Sequence, residues 1–412
     1  MKKTYKYAQG LTSQLSFCST PLRLDPYNKC QFGCEYCFAA TREGFGRDSK
    51  MQLGSPKALR DRFLRIKRGF INSALDEFIE QRIPFQLGGM SDPFSKIEET
   101  EGVTYKFIEV LNEFNYPFIT STKSALIGTK KYVDLLKESN VYVRISVTII
   151  NDELRVLVDK GCSSIEDIFK CCSNLKKENI PISLRFQPII PGFEDQAYQL
   201  IDMASELGID QISFEYLKVS LDANKNFGKT LKNILNNNPI QFYKKMGAKQ
   251  YGREYILPLE YRINHLHKLW HYTKSKNILF GFADNDLLIH SDGHSCCNAS
   301  DKFLDNANFF TANIVSLAKT KVIQEKIYFS DYLKLWIPEE KISTYLNSTA
   351  RLKLECPEEK EWISMLRKSW LGKNGIYKPD YFDGIIKLKE EDTYGLPIYQ
   401  RISSLFEKKL AL

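Results

Sequence analysis

The sequence predicts an α/β fold, a partial (β/α)6 barrel followed by a small, mainly α-helical carboxyl-terminal subdomain. Two observations favour this fold. Short apolar runs alternate with helical patterns between residues 21 and 217, and these runs are nearly continuous, as is typical of parallel strands buried on both faces. In such a fold helices cover a parallel sheet, and the chemistry belongs on the loops at the carboxyl ends of the strands.

The elements follow one another in a regular order. Strands are predicted at residues 21–25, 84–87, 117–120, 141–148, 182–187 and 211–217, and helices at 55–81, 103–114, 130–138, 165–178 and 196–207. After residue 217 the alternation weakens, which indicates an insertion at about 221–277 before a further strand at 278–283. We therefore interpret residues 1–20 as an extension, 21–300 as the barrel and 301–412 as the carboxyl-terminal subdomain.

Composition limits the classes of protein to consider. The 412 residues include 58 Lys and Arg against 50 Asp and Glu, a net charge of +8, and 43% are hydrophobic, which is enough apolar material for a large core. The sequence predicts no membrane span, no membrane partner and no secretion signal, so we expect a cytoplasmic location. Ten cysteines then indicate reduced thiols or metal ligands.

The strongest local signal is a group of three cysteines just after the first predicted strand. Cys30, Cys34 and Cys37 are spaced four and three residues apart. Three thiolates can hold one face of an iron–sulfur cube and leave one iron open to a substrate, and Tyr36 and Phe38 would shield it from water. The alternative is a zinc knuckle completed by a distant ligand, since no fourth Cys or His follows locally.

Polar clusters stand at the ends of the next four predicted strands. Gly88 and Gly89 permit close approach of the backbone to a ligand, and Ser91 and Asp92 offer acceptors for an ammonium group. Lys123, after the third strand, can pair with a carboxylate. The fourth and fifth strands contribute Ser146, Gln187, Ile189 and Gly192. Taken one at a time, each is better explained by a tight turn or a solvated charge than by a binding site.

Together these motifs resemble a known family. The cysteine spacing before a βα series resembles the radical S-adenosylmethionine (SAM) superfamily. With Gly-Gly-x-Ser-Asp-Pro (88–93), Thr-Lys-Ser (122–124), Ile-Ser-Val-Thr (145–148) and Pro-Ile-Ile-Pro-Gly (188–192), residues 20–220 are similar to its branch containing spore photoproduct lyase and DNA repair photolyase-like relatives.

The resemblance implies a partial TIM-like barrel, a [4Fe-4S] cluster on the three cysteines and SAM as cofactor. It implies that SAM is cleaved reductively to a 5′-deoxyadenosyl radical, which abstracts hydrogen from a substrate, and that a donor such as flavodoxin or ferredoxin supplies the electron. It also implies SAM contacts at the strand ends, with 189–192 near the adenine. The residues concerned are Gly88, Gly89, Ser91, Asp92, Lys123, Ser146, Gln187, Ile189 and Gly192.

Two departures from this branch bear on the reaction. Spore photoproduct lyases carry a hydrogen-donating Cys where this sequence has Gly89, and Phe38 replaces their usual Tyr, whereas Tyr36 is retained. We therefore expect Tyr36 to take part in catalysis but not the repair of thymine dimers by the lyase route. Nucleic acid is the favoured substrate. The alternatives are radical modification of a peptide, protein or small metabolite, and a non-catalytic iron–sulfur or zinc protein.

A second group of candidate ligands lies in the loop after the late strand. His290, His294, Cys296 and Cys297 stand within eight residues. They can hold a second metal, although adjacent cysteines cannot easily bind one ion together. Alternatively, Cys296 or Cys297 faces the substrate as a catalytic thiol, or the loop is structural. Cys162, Cys171 and Cys172 are interpreted as ordinary core residues.

Overall fold

The structure is a computed structural model of the chain. It describes residues 4–12, 14–37, 39, 50–294, 299–339, 358–373 and 377–411. Within these ranges, no helix has the length and apolar character needed to cross a membrane.

The strands and helices are numbered in chain order. The strands are β1 (Gln9–Leu11), β2 (Leu22–Leu24), β3 (Phe85–Leu87), β4 (Phe118–Thr122), β5 (Val141–Val147), β6 (Ile182–Ile189), β7 (Gln211–Tyr216), β8 (Val219–Ser220), β9 (Lys249–Tyr251), β10 (Glu254–Ile256), β11 (Leu279–Phe282), β12 (Lys326–Ile327), β13 (Ile385–Glu391) and β14 (Pro397–Arg401). The helices are α1 (Pro56–Lys67), α2 (Ala74–Glu80), α3 (Ile97–Glu101), α4 (Val103–Glu113), α5 (Lys130–Leu136), α6 (Asp152–Val158), α7 (Ile165–Lys177), α8 (Gln196–Glu206), α9 (Ala223–Asn226), α10 (Lys229–Ile234), α11 (Pro239–Lys245), α12 (Leu259–Ser275), α13 (Ile314–Lys319), α14 (Ser330–Leu333), α15 (Glu361–Trp370) and α16 (Leu405–Leu410).

The central sheet confirms the predicted fold class. Its eight strands run in the order β1-β2-β3-β4-β5-β6-β7-β11. The six predicted strands, β2 to β7, are parallel, and β11 continues the parallel series beside β7. Because β1 and β11 lie at opposite edges, the sheet is open, as expected for a partial barrel. The antiparallel edge strand β1 was not predicted, since three residues carry no readable alternation.

The two faces of this sheet differ in character. One is apolar and is covered by helices; Phe63 of α1, for example, meets Phe85 of β3 edge to face with ring centroids 6.4 Å apart. The other face is polar. The strand register sets Arg23 beside Gln86, Ser121 beside Arg144, and Ser146 beside Arg185. Burial against helices accounts for the apolar runs seen in the sequence, and the polar face is left to line the inside of the partial barrel.

The segments outside the βα series form two small sheets. In the insertion, β8, β10 and β9 form an antiparallel sheet beside the short helices α9 to α11. Toward the carboxyl terminus, β12, β14 and β13 form a sheet that packs against helix α15, which carries the buried Trp362 and Trp370. This last sheet was not predicted, because most side chains of β13 are exposed and show no apolar alternation. The domain boundaries stay predictions.

Candidate active site at the carboxyl ends of the strands

The three-cysteine loop follows β2 and is half-buried. No disulfide joins the described cysteines. The amide N–H of Phe32 donates to the Sγ atom of Cys30 at 3.3 Å. Burial raises the pKa of the Cys30 thiol, as does the charge of Asp92, while the backbone amides of Asp92 and Phe32 oppose the shift. Amide donors of this kind stabilise a thiolate once a metal ion is bound.

A buried glutamate, Glu98, fixes the segment that leads into this loop. Its carboxylate accepts hydrogen bonds from the hydroxyls of Tyr27 and Tyr132, the latter at 2.6 Å. It also accepts the amide N–H groups of Thr104 at 2.8 Å and Tyr105 at 2.9 Å, in the first turn of α4. The carboxylate therefore joins the chain before Cys30 to the helices that cover β3 and β4. No local motif marks this residue in the sequence.

Glu98→Ala should lower the free energy of unfolding by at least about 3 kcal/mol, because the lost carboxylate leaves buried donors without their acceptor. Urea unfolding of the metal-free protein measures this difference. The matched control is Glu99→Ala, an exposed neighbour on α3, which should change stability by no more than about 0.5 kcal/mol. Equal stability of the two variants would contradict the role given to Glu98.

The loop after β3 interlocks its neighbours. Gly88 has φ +87°, and a Cβ atom there would lie 2.4 Å from Pro93 Cδ, so only glycine fits. The buried Ser91 hydroxyl donates to the carbonyl of Tyr27 at 2.7 Å. A Cβ atom at Gly89 would lie 3.2 Å from the Arg23 side chain, which therefore packs against this glycine.

Asp92 connects this loop to the end of β4. Its carboxylate accepts the Thr122 hydroxyl at 2.8 Å, the Lys123 amide at 2.8 Å and the Phe94 amide at 2.9 Å. Burial raises the pKa of the Asp92 carboxyl to about 6, although these hydrogen bonds act to lower it. Both carboxylate oxygens are thus engaged within the protein. The ammonium-binding role that the sequence predicts for Asp92 stays a prediction.

An ionic cluster lies between β4, β5 and the cysteine loop, where Lys123 is the central cation. Its Nζ atom donates to the Thr148 hydroxyl at 2.7 Å and lies 3.3 Å from the buried Asp159 carboxylate. The Tyr36 hydroxyl contacts Thr148 at 2.7 Å and donates to Asp159. The Lys123 ammonium also stands 5.4 Å from the centre of the Tyr36 ring.

The charges in this cluster stabilise one another. Burial alone would lower the pKa of Lys123, but Asp159 and then the neighbouring thiols raise it overall, so the ammonium form is held. Burial and the Asp159 charge both raise the pKa of Tyr36, so its hydroxyl keeps its proton. Lys123 and Tyr36 were recognisable in the sequence, whereas Asp159, which follows α6 and belongs to no local motif, was missed.

A fourth thiol reaches the cysteine loop from the segment after α6. The Sγ atoms of Cys162 and Cys34 are 3.9 Å apart, and these two thiols with Asp159 form a group of ligand-type atoms within 4.8 Å of one another. The hydrogen bond with Cys34, together with burial, raises the pKa of Cys162. The prediction that Cys162 is an ordinary core residue is therefore wrong. Cys171 and Cys172 are buried on α7, as predicted.

Glu35, inside the cysteine motif, joins this loop to the insertion. Its buried carboxylate accepts the Leu231 amide of α10 at 2.7 Å and pairs with Lys160 at 3.0 Å. A Cβ atom at Gly228 would lie 2.1 Å from the Glu35 carboxyl carbon, so the insertion packs tightly here. The insertion therefore docks directly beside the three cysteines.

The remaining predicted cofactor contacts lie on β5, β6 and the turn that follows. Ser146 is half-buried on the polar face of the sheet, and the side chain of Gln187 accepts a hydrogen bond from Arg185. Ile189 is fully buried. Gly192 has φ +93° with open space where a Cβ would be, and its amide donates to Glu194 at 2.7 Å.

The second predicted site is only partly described. His290 Nε2 lies 3.1 Å from the Asp383 carboxylate, and both side chains are buried. The amide of His294 donates to Asp301 at 2.9 Å. Cys296, Cys297 and Phe38 lie outside the described residues. Among the described residues, neither histidine belongs to a group of three close ligand-type side chains, and the pairing of His290 with Asp383 supports the structural interpretation of this loop.

Comparisons with known proteins find a family model that matches part of the chain. Residues 24–204 match the family model described as the radical SAM superfamily. A comparison with curated proteins finds no significant sequence match. Among solved structures, spore photoproduct lyase complexed with dinucleoside spore photoproduct is similar at 14% identity and TM-score 0.47, over 65% of this chain and 78% of that one. SuiB of Streptococcus suis bound to S-adenosylmethionine is similar at 15% identity and TM-score 0.41, over 65% of this chain and 51% of SuiB.

Proposed function

We propose that the chain is a radical SAM enzyme, because residues 24–204 match the model of that superfamily, and that Cys30, Cys34 and Cys37 hold a [4Fe-4S] cluster with one iron open to SAM. The observation that carries this proposal is the meeting of the three-thiol loop with the Lys123 and Asp159 cluster at one edge of the sheet. When bound, the cluster supplies the electron that cleaves SAM to methionine and a 5′-deoxyadenosyl radical, which abstracts hydrogen from the substrate.

The residues present fit a cluster of this kind. All three thiols stand in one half-buried loop, and amide N–H groups are directed at Cys30. Hydrogen bonds from amides to cluster sulfurs and partial exclusion of solvent are the means by which proteins tune such clusters. A zinc site is the competing occupant, because Cys162 could complete four thiolates.

The side chains around the loop have distinct roles in this proposal. Lys123, held as an ammonium by Asp159, pairs with the SAM carboxylate. Tyr36, whose hydroxyl is fixed by Thr148 and Asp159, shields the cluster and keeps its proton. Gly88 and Gly89 allow the backbone to approach the methionine end, while Ser91 and Asp92 hold the loops in place.

The polar face of the sheet receives the rest of the cofactor. We propose that Ser146 and Gln187 contact the ribose and that the 189–192 turn contacts the adenine. The electron donor is a low-potential protein such as flavodoxin or ferredoxin.

Quantifying 5′-deoxyadenosine tests the proposed function. The protein is reconstituted anaerobically with iron and sulfide, reduced with dithionite and incubated with SAM alone, with DNA, with RNA or with peptide mixtures. Stimulation by nucleic acid supports the favoured substrate. Formation without such stimulation redirects the search to peptides and metabolites, and no 5′-deoxyadenosine from a fully loaded cluster contradicts the proposal.

The insertion supports nucleic acid as the substrate. Residues 221–256 carry seven basic and two acidic side chains, more than half of the net charge of +8. Six of the basic residues are exposed: Lys225, Lys229, Lys244, Lys245, Lys249 and Arg253. Because Glu35 docks this segment beside the cysteine loop, we propose that its positive charge attracts a polyanion toward the reaction site.

The double variant Lys244→Glu with Lys245→Glu should bind DNA or RNA more weakly. The slope of the logarithm of the binding constant against the logarithm of the salt concentration should also become shallower, by about 0.7–0.9 for each phosphate that the protein no longer neutralises. Fluorescence anisotropy at several salt concentrations measures both. The control is Lys408→Glu, an exposed lysine on helix α16 and outside the insertion, which should leave the slope unchanged. An identical slope for the double variant and the wild type would show that Lys244 and Lys245 do not contact the nucleic acid.

A further inference from the structure

We propose that Cys34 and Cys162 form a reversible disulfide in the cluster-free protein, and that this bond must be reduced before a cluster can assemble. The oxidant is a low-molecular-weight disulfide such as glutathione disulfide. The inference rests on the assignment of Cys34 as a cluster ligand in the proposed function, and it assigns a modification site to a thiol that the reaction itself does not use.

The distance between the two sulfurs favours a bond between them over the binding of both sulfurs to one iron–sulfur cluster. They are 3.9 Å apart. Two sulfurs bound at about 2.3 Å to one tetrahedral ion stand roughly 3.8 Å apart, whereas thiolates on different irons of a cube stand farther apart. Cys162 is therefore too close to Cys34 to bind a neighbouring iron of the same cluster. A disulfide needs the sulfurs to approach by about 2 Å more.

Backbone contacts hold the two segments side by side, so the proximity does not depend on side-chain rotamers alone. The Gly33 amide donates to the Lys160 carbonyl at 3.0 Å, and the Glu35 amide donates to the Val158 carbonyl at 2.8 Å. These two bonds flank Cys34. Gly161, directly before Cys162, has φ +79°, a conformation that glycine adopts without strain and that turns the chain back toward the loop.

The reaction balances without a further reagent. Two cysteine S–H bonds and the S–S bond of glutathione disulfide break, while the Cys34–Cys162 bond and two glutathione thiols form. The two electrons and two protons released by the cysteines pass to glutathione. A sulfur in a disulfide cannot bind iron because the thiolate is the ligand, so the oxidised protein is unable to load until a thiol reductant restores Cys34.

Disulfide mapping tests this inference independently of SAM cleavage. Chelator-treated, cluster-free full-length protein is incubated anaerobically with glutathione disulfide, digested without reductant and analysed by mass spectrometry. We expect a linked pair of peptides containing Cys34 and Cys162. We also expect iron and sulfide loading to be blocked until dithiothreitol is added. Cys171→Ser, in the core of α7, should behave as the wild type, whereas Cys162→Ser should load after the same treatment.

Several results would overturn the inference. These are cross-links confined to Cys30, Cys34 and Cys37, mixed disulfides with glutathione as the main product, or loading of Cys162→Ser blocked as fully as in the wild type. Stoichiometric zinc binding that requires Cys162 would also overturn it, because a bridging ion would then explain the spacing. If the cross-link forms but the reduced, loaded protein makes no 5′-deoxyadenosine, only the proposed function fails.

Discussion

Cys34→Ala should prevent cluster assembly and reduce 5′-deoxyadenosine formation to background. Cys34 is the central thiol of the three, and the amides on both sides of it donate to the carbonyls of Val158, the last residue of α6, and Lys160. Removing a residue that hydrogen-bonds to a metal ligand typically lowers metal affinity or activity by roughly 10–100-fold. Removing a ligand itself should lower them further. Iron and sulfide content, together with chromatography of the SAM products, measure both effects.

The controls for Cys34→Ala separate ligation from general damage. Cys171→Ser removes a buried thiol far from the loop in sequence and should retain full loading. Cys162→Ser, kept reduced, should also load fully, because Cys162 is not assigned as a ligand. If Cys34→Ala binds as much iron and sulfide as the wild type, the assignment of the three cysteines is wrong.

Asp159→Asn should weaken SAM binding by about 10–100-fold while leaving the cluster loaded. The Asp159 carboxylate pairs with Lys123 and accepts the Tyr36 hydroxyl in a buried setting. Without its negative charge, the Lys123 ammonium stands next to no carboxylate within 4 Å among the described residues, so burial disfavours the charged form that would bind the SAM carboxylate. Equilibrium dialysis with labelled SAM on the loaded protein gives the dissociation constant.

Glu166→Gln is the matched control for Asp159→Asn, because it neutralises an exposed acid on the neighbouring helix α7. It should leave SAM affinity unchanged. Equal affinities for Asp159→Asn and the wild type, at equal iron content, would show that Lys123 is positioned without Asp159.

Features encoded in short stretches of sequence could be predicted. The parallel strands were recognisable because short apolar runs alternate with helical patterns along the chain, and the three cysteines because all of them lie within eight residues. Lys123 was predicted as a site residue because the carboxyl ends of parallel strands meet at one edge of a sheet.

Features created by contacts between distant segments could not be predicted. Asp159 and Cys162 reach the cysteine loop from more than 120 positions away, and neither stands in a pattern that marks a site. Glu98 and Glu35 resemble surface acids in the sequence, yet both are buried and hold loops together. Ser91 and Asp92 were predicted to contact a cofactor, but the sequence could not reveal that hydrogen bonds within the protein occupy their side chains.

The most direct test of the central claim is electron paramagnetic resonance of the reduced, reconstituted protein with and without SAM, together with iron and zinc analysis. We predict about four iron atoms per chain and a cluster signal that SAM changes, because SAM binds the open iron. One zinc ion per chain in place of iron, or a cluster signal that SAM leaves unchanged, would contradict the claim.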